Sequence, residues 1–199
     1  MKKLVPPDAV LIPPEAKRVF SGKIFDVYQW QQPLFDGNYT TYEAVRRPDA
    51  AIVIAIVDDK IMTVVDTQPH KGTRIGIPGG RVAPEDESPL AAAQRELREE
   101  TGYAFADWKL IEVAQLESKI EYFVYIYVAT QLRDIKEPSV DPGGETIEIE
   151  FNDYHTTLDK VRTNRDAIVY EVCERAGSVE ELLNLPEFTG VEVDIPVKG

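Results

Sequence analysis

Ala50-Ala51-Ile52-Val53-Ile54-Ala55-Ile56-Val57 carries no polar side chain. Its length and β-branched content read as a strand buried on both faces. Asp58-Asp59 then turns the chain into a partner strand, Ile61–Thr67. Downstream, a looser stretch from Gln68 to Ile77 leads to Pro78-Gly79-Gly80 and to the clearest helix in the chain. Ser88 is placed to cap it, Pro89 suits its first position, and Leu90, Ala93 and Leu97 share one face before Gly102 stops it. Strand-like runs follow at Trp108–Glu117, Glu121–Gln131 and Thr146–Phe151, then helical patterns over Leu158–Arg175 and Ser178–Leu185. Upstream, the strand-like runs Val19–Gln31 and Tyr39–Arg47 flank Phe35-Asp36-Gly37-Asn38, whose Asp-Gly marks a hairpin. The proline-rich start, residues 1–16, and the tail from Pro186 read as extended. The fold class expected is α/β (α+β): a sandwich with a mixed sheet between helices, plus N-terminal antiparallel strands.

The 199 residues include 43% hydrophobic side chains, enough for a core, and 22 basic against 35 acidic ones, a net charge of -13. That field repels nucleic-acid phosphates and anionic membranes, so neither is expected as a partner. It also repels small anionic substrates unless divalent cations sit among the carboxylates. One cysteine, Cys173, excludes an internal disulfide framework and a cysteine-rich zinc site, and its helical setting suggests a small core residue. The start lacks the apolar core of a signal peptide, and no run approaches 18 uncharged apolar residues; a cytoplasmic location is expected.

The chemistry concentrates in Arg95-Glu96-Leu97-Arg98-Glu99-Glu100-Thr101-Gly102. On a helix Glu96 and Glu100 lie one above the other with Glu99 alongside, and Arg95 can pair with Glu99. Like charges at this spacing repel, which a purely structural helix gains nothing from. Hard divalent cations bound through oxygen would remove the repulsion. The competing reading is a solvated acidic face. Pro78-Gly79-Gly80 favours the first: a glycine pair lets backbone approach a ligand closely, and it delivers the chain through Glu85, Asp86 and Glu87 to the acidic turn.

Gly80–Tyr103 resembles the Nudix box of the Nudix hydrolase family. The second half fits fully, from Glu87 through seven residues to Arg95-Glu96-Leu97-Arg98-Glu99-Glu100-Thr101-Gly102-Tyr103. The first half departs: six residues rather than five separate Gly80 from Glu87, and Arg81 stands at the consensus glycine position. An inserted loop residue disturbs the loop more than the helix and leaves the role of Glu87 open. The resemblance implies a Nudix-type α/β/α sandwich with metal ligation by Glu96, Glu99, Glu100 and the Gly79 backbone carbonyl. It further implies that Arg95 orients Glu99, and that two or three Mg²⁺ (or Mn²⁺) ions serve. It divides the chain into an N-terminal arm and strands at 1–47, a hydrolase domain at 48–185 and a tail at 186–199.

Ser21–Tyr28 and Tyr42–Pro48 look like the ADP-ribose pyrophosphatase branch of that family. In that branch the N-terminal strands help form a homodimer and set aromatics against the adenine, which makes Tyr28, Trp30 and Tyr42 candidates; plain packing of a sheet face is the alternative. Gln68-Pro69 stands where the branch often has Gln-x-Arg-Pro; without that arginine, Arg46, Arg47 and Arg74 are left as candidate phosphate contacts. Asp141–Ile149 resembles the late loop that brings in a catalytic glutamate, with Glu145 the candidate base and Glu148 the reserve. The resemblance therefore implies hydrolysis of ADP-ribose to AMP and ribose 5-phosphate. Another nucleotide sugar or dinucleotide is an alternative substrate, and a silent nucleotide-sensing module is an alternative of another class.

Overall fold

The computed structural model describes residues 2–69, 72–139, 146–163 and 167–195. In chain order the elements are β1 (Lys2–Val5), β2 (Lys17–Ser21), β3 (Asp26–Pro33), β4 (Tyr39–Arg46), β5 (Ala50–Val57), β6 (Lys60–Gln68), β7 (Gly72–Gly76) and β8 (Gly79–Arg81). Helix α1 (Pro89–Thr101) follows, then β9 (Tyr103–Gln115), β10 (Ile120–Glu121), β11 (Phe123–Ile135) and β12 (Thr146–Asn152). The chain closes with α2 (Tyr154–Thr163), α3 (Ala167–Ala176), α4 (Val179–Asn184) and β13 (Val191–Asp194).

The central sheet runs β12-β6-β5-β11-β9, with β7 added on β6 and β8 on β5. It is mixed, because β5 and β11 run parallel while their other pairings are antiparallel. Alternation along β5 supplies two cores. Ala51, Val53 and Ala55 pack toward α1 with Leu97, Phe123 and Tyr125. Ile54 and Ile56 pack toward α2 and α3 with Ile126, Val161 and Val172. That is the doubly covered strand its apolar run called for, and the result is an α/β/α sandwich. Cys173 lies in the second core, where burial pushes its thiol up to about 11.

A separate sheet, β10-β4-β3-β2, carries the N-terminal strands. The Asp36-Gly37 hairpin forms between β3 and β4: Gly37 has a φ of 84°, and the Asp36 carboxylate accepts from the Asn38 amide at 3.0 Å. Asp58 and Asp59 both take the left-handed conformation, φ 49° and 59°, matching the right-handed twist of the β5–β6 hairpin without any glycine.

Four expectations need correction. Val19–Gln31 is two strands, broken at residues 22–25, where Phe25 and Gly22 close a turn of their own. Gln68–Ile77 contains a strand, β7, because it finds a partner in β6 that its short, glycine-flanked sequence does not advertise. Leu158–Arg175 holds two helices rather than one, and the first starts earlier, at Tyr154, with the Asp153 carboxylate accepting from the Thr156 amide at 2.9 Å. The extended ends are joined: β1 pairs with β13, and Lys3 makes a buried 2.6 Å ion pair with Asp49 just before β5. No helix among the described residues is long and apolar enough to cross a membrane.

Candidate active site

Helix α1 is fixed at both ends by local chemistry. The Ser88 hydroxyl accepts from the Ala91 amide at 3.1 Å, and Gly102, with φ 77°, donates its amide to the Arg98 carbonyl. Ala92, Ala93 and Leu97 are buried against the sheet. The opposite side of the helix therefore turns Arg95, Glu96, Glu99 and Glu100 toward the β8 loop.

Arg95 holds this side together. Its Nε and Nη2 donate to the two carboxylate oxygens of Asp86 at 3.0 and 2.9 Å, a fork-on-fork pair. Nη1 donates to Glu96 at 2.9 Å and Glu99 at 3.0 Å, and Nη2 also donates to the Arg81 carbonyl at 3.1 Å. This contact keeps the Asp86 carboxyl below its ordinary range and raises the guanidinium further. Burial pushes the Glu96 carboxyl up, with Arg95 opposing and the charges of Glu99 and Asp86 reinforcing.

The glycine pair has a steric reason to be there. A Cβ on Gly79, whose φ is 152°, would collide with the Ala51 carbonyl of β5, and one on Gly80 would collide with the Glu96 carboxylate. Gly79 also donates its amide to Glu100 at 3.0 Å. That bond ties Glu100 to β8, while Glu96 fills the space a Gly80 side chain would need.

Beside them lies a cleft of about 230 Å³, walled by Ile52, Asp66, Arg74, Gly79, Gly80 and Glu100. Arg74 reaches it from β7. The other candidates lie elsewhere in the chain. Tyr28 and Arg46 line a cleft of about 520 Å³, where the Arg46 guanidinium sits 4.8 Å from the Tyr28 ring and is ion-paired with buried Glu121. Trp30 and Tyr42, with ring centroids 5.8 Å apart, line another of about 670 Å³. Arg47 lies over the Tyr122 ring at 4.2 Å. Glu145 lies outside the described residues, while Glu148 is exposed on β12 opposite Val65.

Among the described residues no three acid, histidine or cysteine side chains already converge on one point. Glu96 and Glu99 instead share Arg95. Were Glu96, Glu99, Glu100 and the Gly79 carbonyl to be drawn onto one ion, the all-oxygen donors would suit a hard divalent ion better than a soft one. Two residues gain a part that spacing alone did not give them. Asp86 is the principal partner of Arg95 across a loop, and Asp66 is on the cleft wall. Across the β6–β7 pairing it faces Arg74, which lines the same cleft.

A family model described as the NUDIX domain matches residues 46–173. The ADP-ribose pyrophosphatase of Bacillus subtilis (strain 168) is 30% identical over 138 residues, 67% of this chain and 73% of that protein. The methanol dehydrogenase activator of Bacillus methanolicus is 31% identical over 122 residues, 59% of this chain and 65% of that protein, so the match spans just under two thirds of its length. Among solved structures, one titled "Crystal structure of ADP compounds hydrolase" superposes with a TM-score of 0.61 at 21% identity, over 87% of this chain and 94% of that one; this likeness is one of fold. The matched region runs from the end of β4 to α3 and contains the whole Arg95 cluster, and on that match this chain belongs to the NUDIX domain family.

Proposed function

We propose that this protein is a divalent-metal-dependent hydrolase that splits the diphosphate linkage of ADP-ribose, consuming one water and releasing AMP and ribose 5-phosphate. The observation that carries the reading is Glu100, held by the Gly79 amide on the wall of the cleft that Arg74 also enters. The 30% identity to a bacterial ADP-ribose pyrophosphatase supports the choice of substrate.

Glu96, Glu99, Glu100 and the Gly79 carbonyl would hold the ions, and a cation there would offset the burial that pushes the Glu96 carboxyl up. Two or three Mg²⁺ (or Mn²⁺) ions, when bound, neutralise the diphosphate and lower the pKa of the attacking water. Arg95 keeps the Glu96 and Glu99 side chains from swinging apart, the orienting work that metal ligands need from their neighbours. Arg74 provides a positive charge for the phosphates. Glu145 takes the proton from water; Glu148, paired with Val65 and so on the face turned from Asp66, has no part in this reading. Tyr28, Trp30, Tyr42 and Arg46 contact the nucleotide end. In one chain they line clefts distinct from that of Glu100, an arrangement consistent with service across a homodimer. Exposed Phe20 and Tyr39 on the same sheet, with Phe35 in its β3–β4 turn, support pairing with a second copy. A cytoplasmic location completes the proposal.

The test is turnover across ADP-ribose, ADP-glucose, a diadenosine polyphosphate and ATP, with and without Mg²⁺, read as phosphate freed by a coupled phosphatase. ADP-ribose should lead in kcat/KM, and chelation should remove activity. Equal rates on all four would refute the substrate assignment. Nucleotide binding without turnover would point to the silent sensing module instead.

A further inference from the structure

Among the described residues, three charged side chains line the Gly79 cleft: Glu100, Arg74 and Asp66. The proposed reaction gives the first two a part, in holding cations and in meeting phosphate. Asp66 has none. Its position follows from the hairpin. In the β6–β7 register Asp66 faces Arg74 and Val64 faces Gly76, and all four lie on the cleft wall. Thr67 and Thr73 meet on the other side of the ribbon, their hydroxyls 2.9 Å apart. Residues two apart share a face, so the pairing aims both Asp66 and Arg74 at the same space.

The Asp66 carboxylate is only half satisfied. Its Oδ2 accepts from the Gln68 amide at 2.8 Å. Its Oδ1 is sealed from water and has no hydrogen-bond partner among the described residues. A carboxylate so placed hinders any further anion beside it, because in a partly dry cleft repulsion is screened far less than in water. A diphosphate met by Arg74 and by cations at Glu100 gains from this wall. A chain of phosphates running on past Arg74 meets the Asp66 charge.

We propose that Asp66 is a specificity-determining residue, whose carboxylate excludes substrates that extend the diphosphate by another phosphate and admits those that end in an uncharged group such as a sugar. The inference rests on the reading of this cleft as the diphosphate site.

The test uses the full chain and two probes that are not cleaved, the α,β-methylene analogues of ADP-ribose and of ATP, with affinities measured by calorimetry in Mg²⁺. Asp66→Asn should shift the affinity ratio about tenfold toward the ATP analogue, while Asp66→Glu, which keeps the charge, should hold the ratio near that of the parent protein. Asp66→Ser gives the same reading if the Asn variant does not fold. An unmoved ratio, or equal weakening for both probes, overturns the proposal and leaves Asp66 as a support for Arg74. Turnover of ADP-ribose by the parent protein is a separate readout: its absence would break the proposed activity, whereas the affinity ratio alone decides the role of Asp66.

Discussion

Helix α1 and the β2–β4 sheet carry the two halves of the candidate machinery, and they are built in opposite ways. In α1 the contacts that set its start and its Arg95 cluster are local: a cap three residues away, a guanidinium that reaches the next turn, and a loop folded back onto its own helix. In the sheet the decisive contacts are distant, as with Arg46 and Glu121, which are 75 residues apart. Local construction lets a motif of some twenty residues specify a site by itself. Distant construction leaves the same residue types open to two readings, substrate contact or internal strut.

The sharpest way to break this contrast is to remove a charge from α1 without changing its shape. Glu100→Gln should lower kcat by about a thousandfold, roughly 4 kcal/mol of barrier, with little change in melting temperature. Steady-state turnover together with a thermal melt checks it, and an unchanged rate would refute the metal role. Next comes the sheet's own strut. Arg46→Ala strands a buried carboxylate on Glu121, whose side chain is 3% exposed, and should cost about 3 kcal/mol in chemical denaturation. KM for ADP-ribose should rise as well, since Arg46 also lines the Tyr28 cleft; a loss on KM with stability untouched would mean that Arg46 does not brace the sheet, and the contrast would fail.

A smaller effect sharpens the account of the loop. Asp86→Ala should cost about 2 kcal/mol at neutral pH through loss of its charge-assisted contacts with Arg95. The Asp86 carboxyl is lowered in the folded protein, so its contribution is present above the ordinary carboxylate value near 3.8 and is lost as pH falls through the lowered one. The gap between variant and parent should therefore close in denaturation curves taken below about pH 4. Last, Trp30→Ala should cost about 1 kcal/mol by loosening its contact with Tyr42. KM for ADP-ribose should rise with kcat unchanged, and an unmoved KM would take Trp30 out of the substrate site.

The same contrast explains what could be read without coordinates. The apolar β5 run, the Ser88 and Gly102 limits of α1 and the acidic turn are signals written within a few residues, and the structure keeps each of them. Strand β7 was illegible because five residues containing two glycines become a strand only through pairing with β6. The closure of β1 on β13 joins residues about 190 apart and leaves no periodic trace. Asp66 belongs to the same class, since nothing in Val65-Asp66-Thr67 distinguishes a cleft wall from a surface. Asp86 was visible as one more acid before the helix, but its bond to Arg95 depends on how the loop folds.

Cys173 offers a use beyond the site. It is the only thiol in the chain, it sits in the α3 side of the core, and burial holds it protonated at ordinary pH. A labelling reagent can react only after that layer opens, since the attacking species is the exposed thiolate. The rate of modification, followed by mass spectrometry in native buffer, therefore times excursions of α3 away from the sheet. Slower labelling on adding nucleotide and Mg²⁺ would reveal that events beside α1 are felt on the far face of the sandwich.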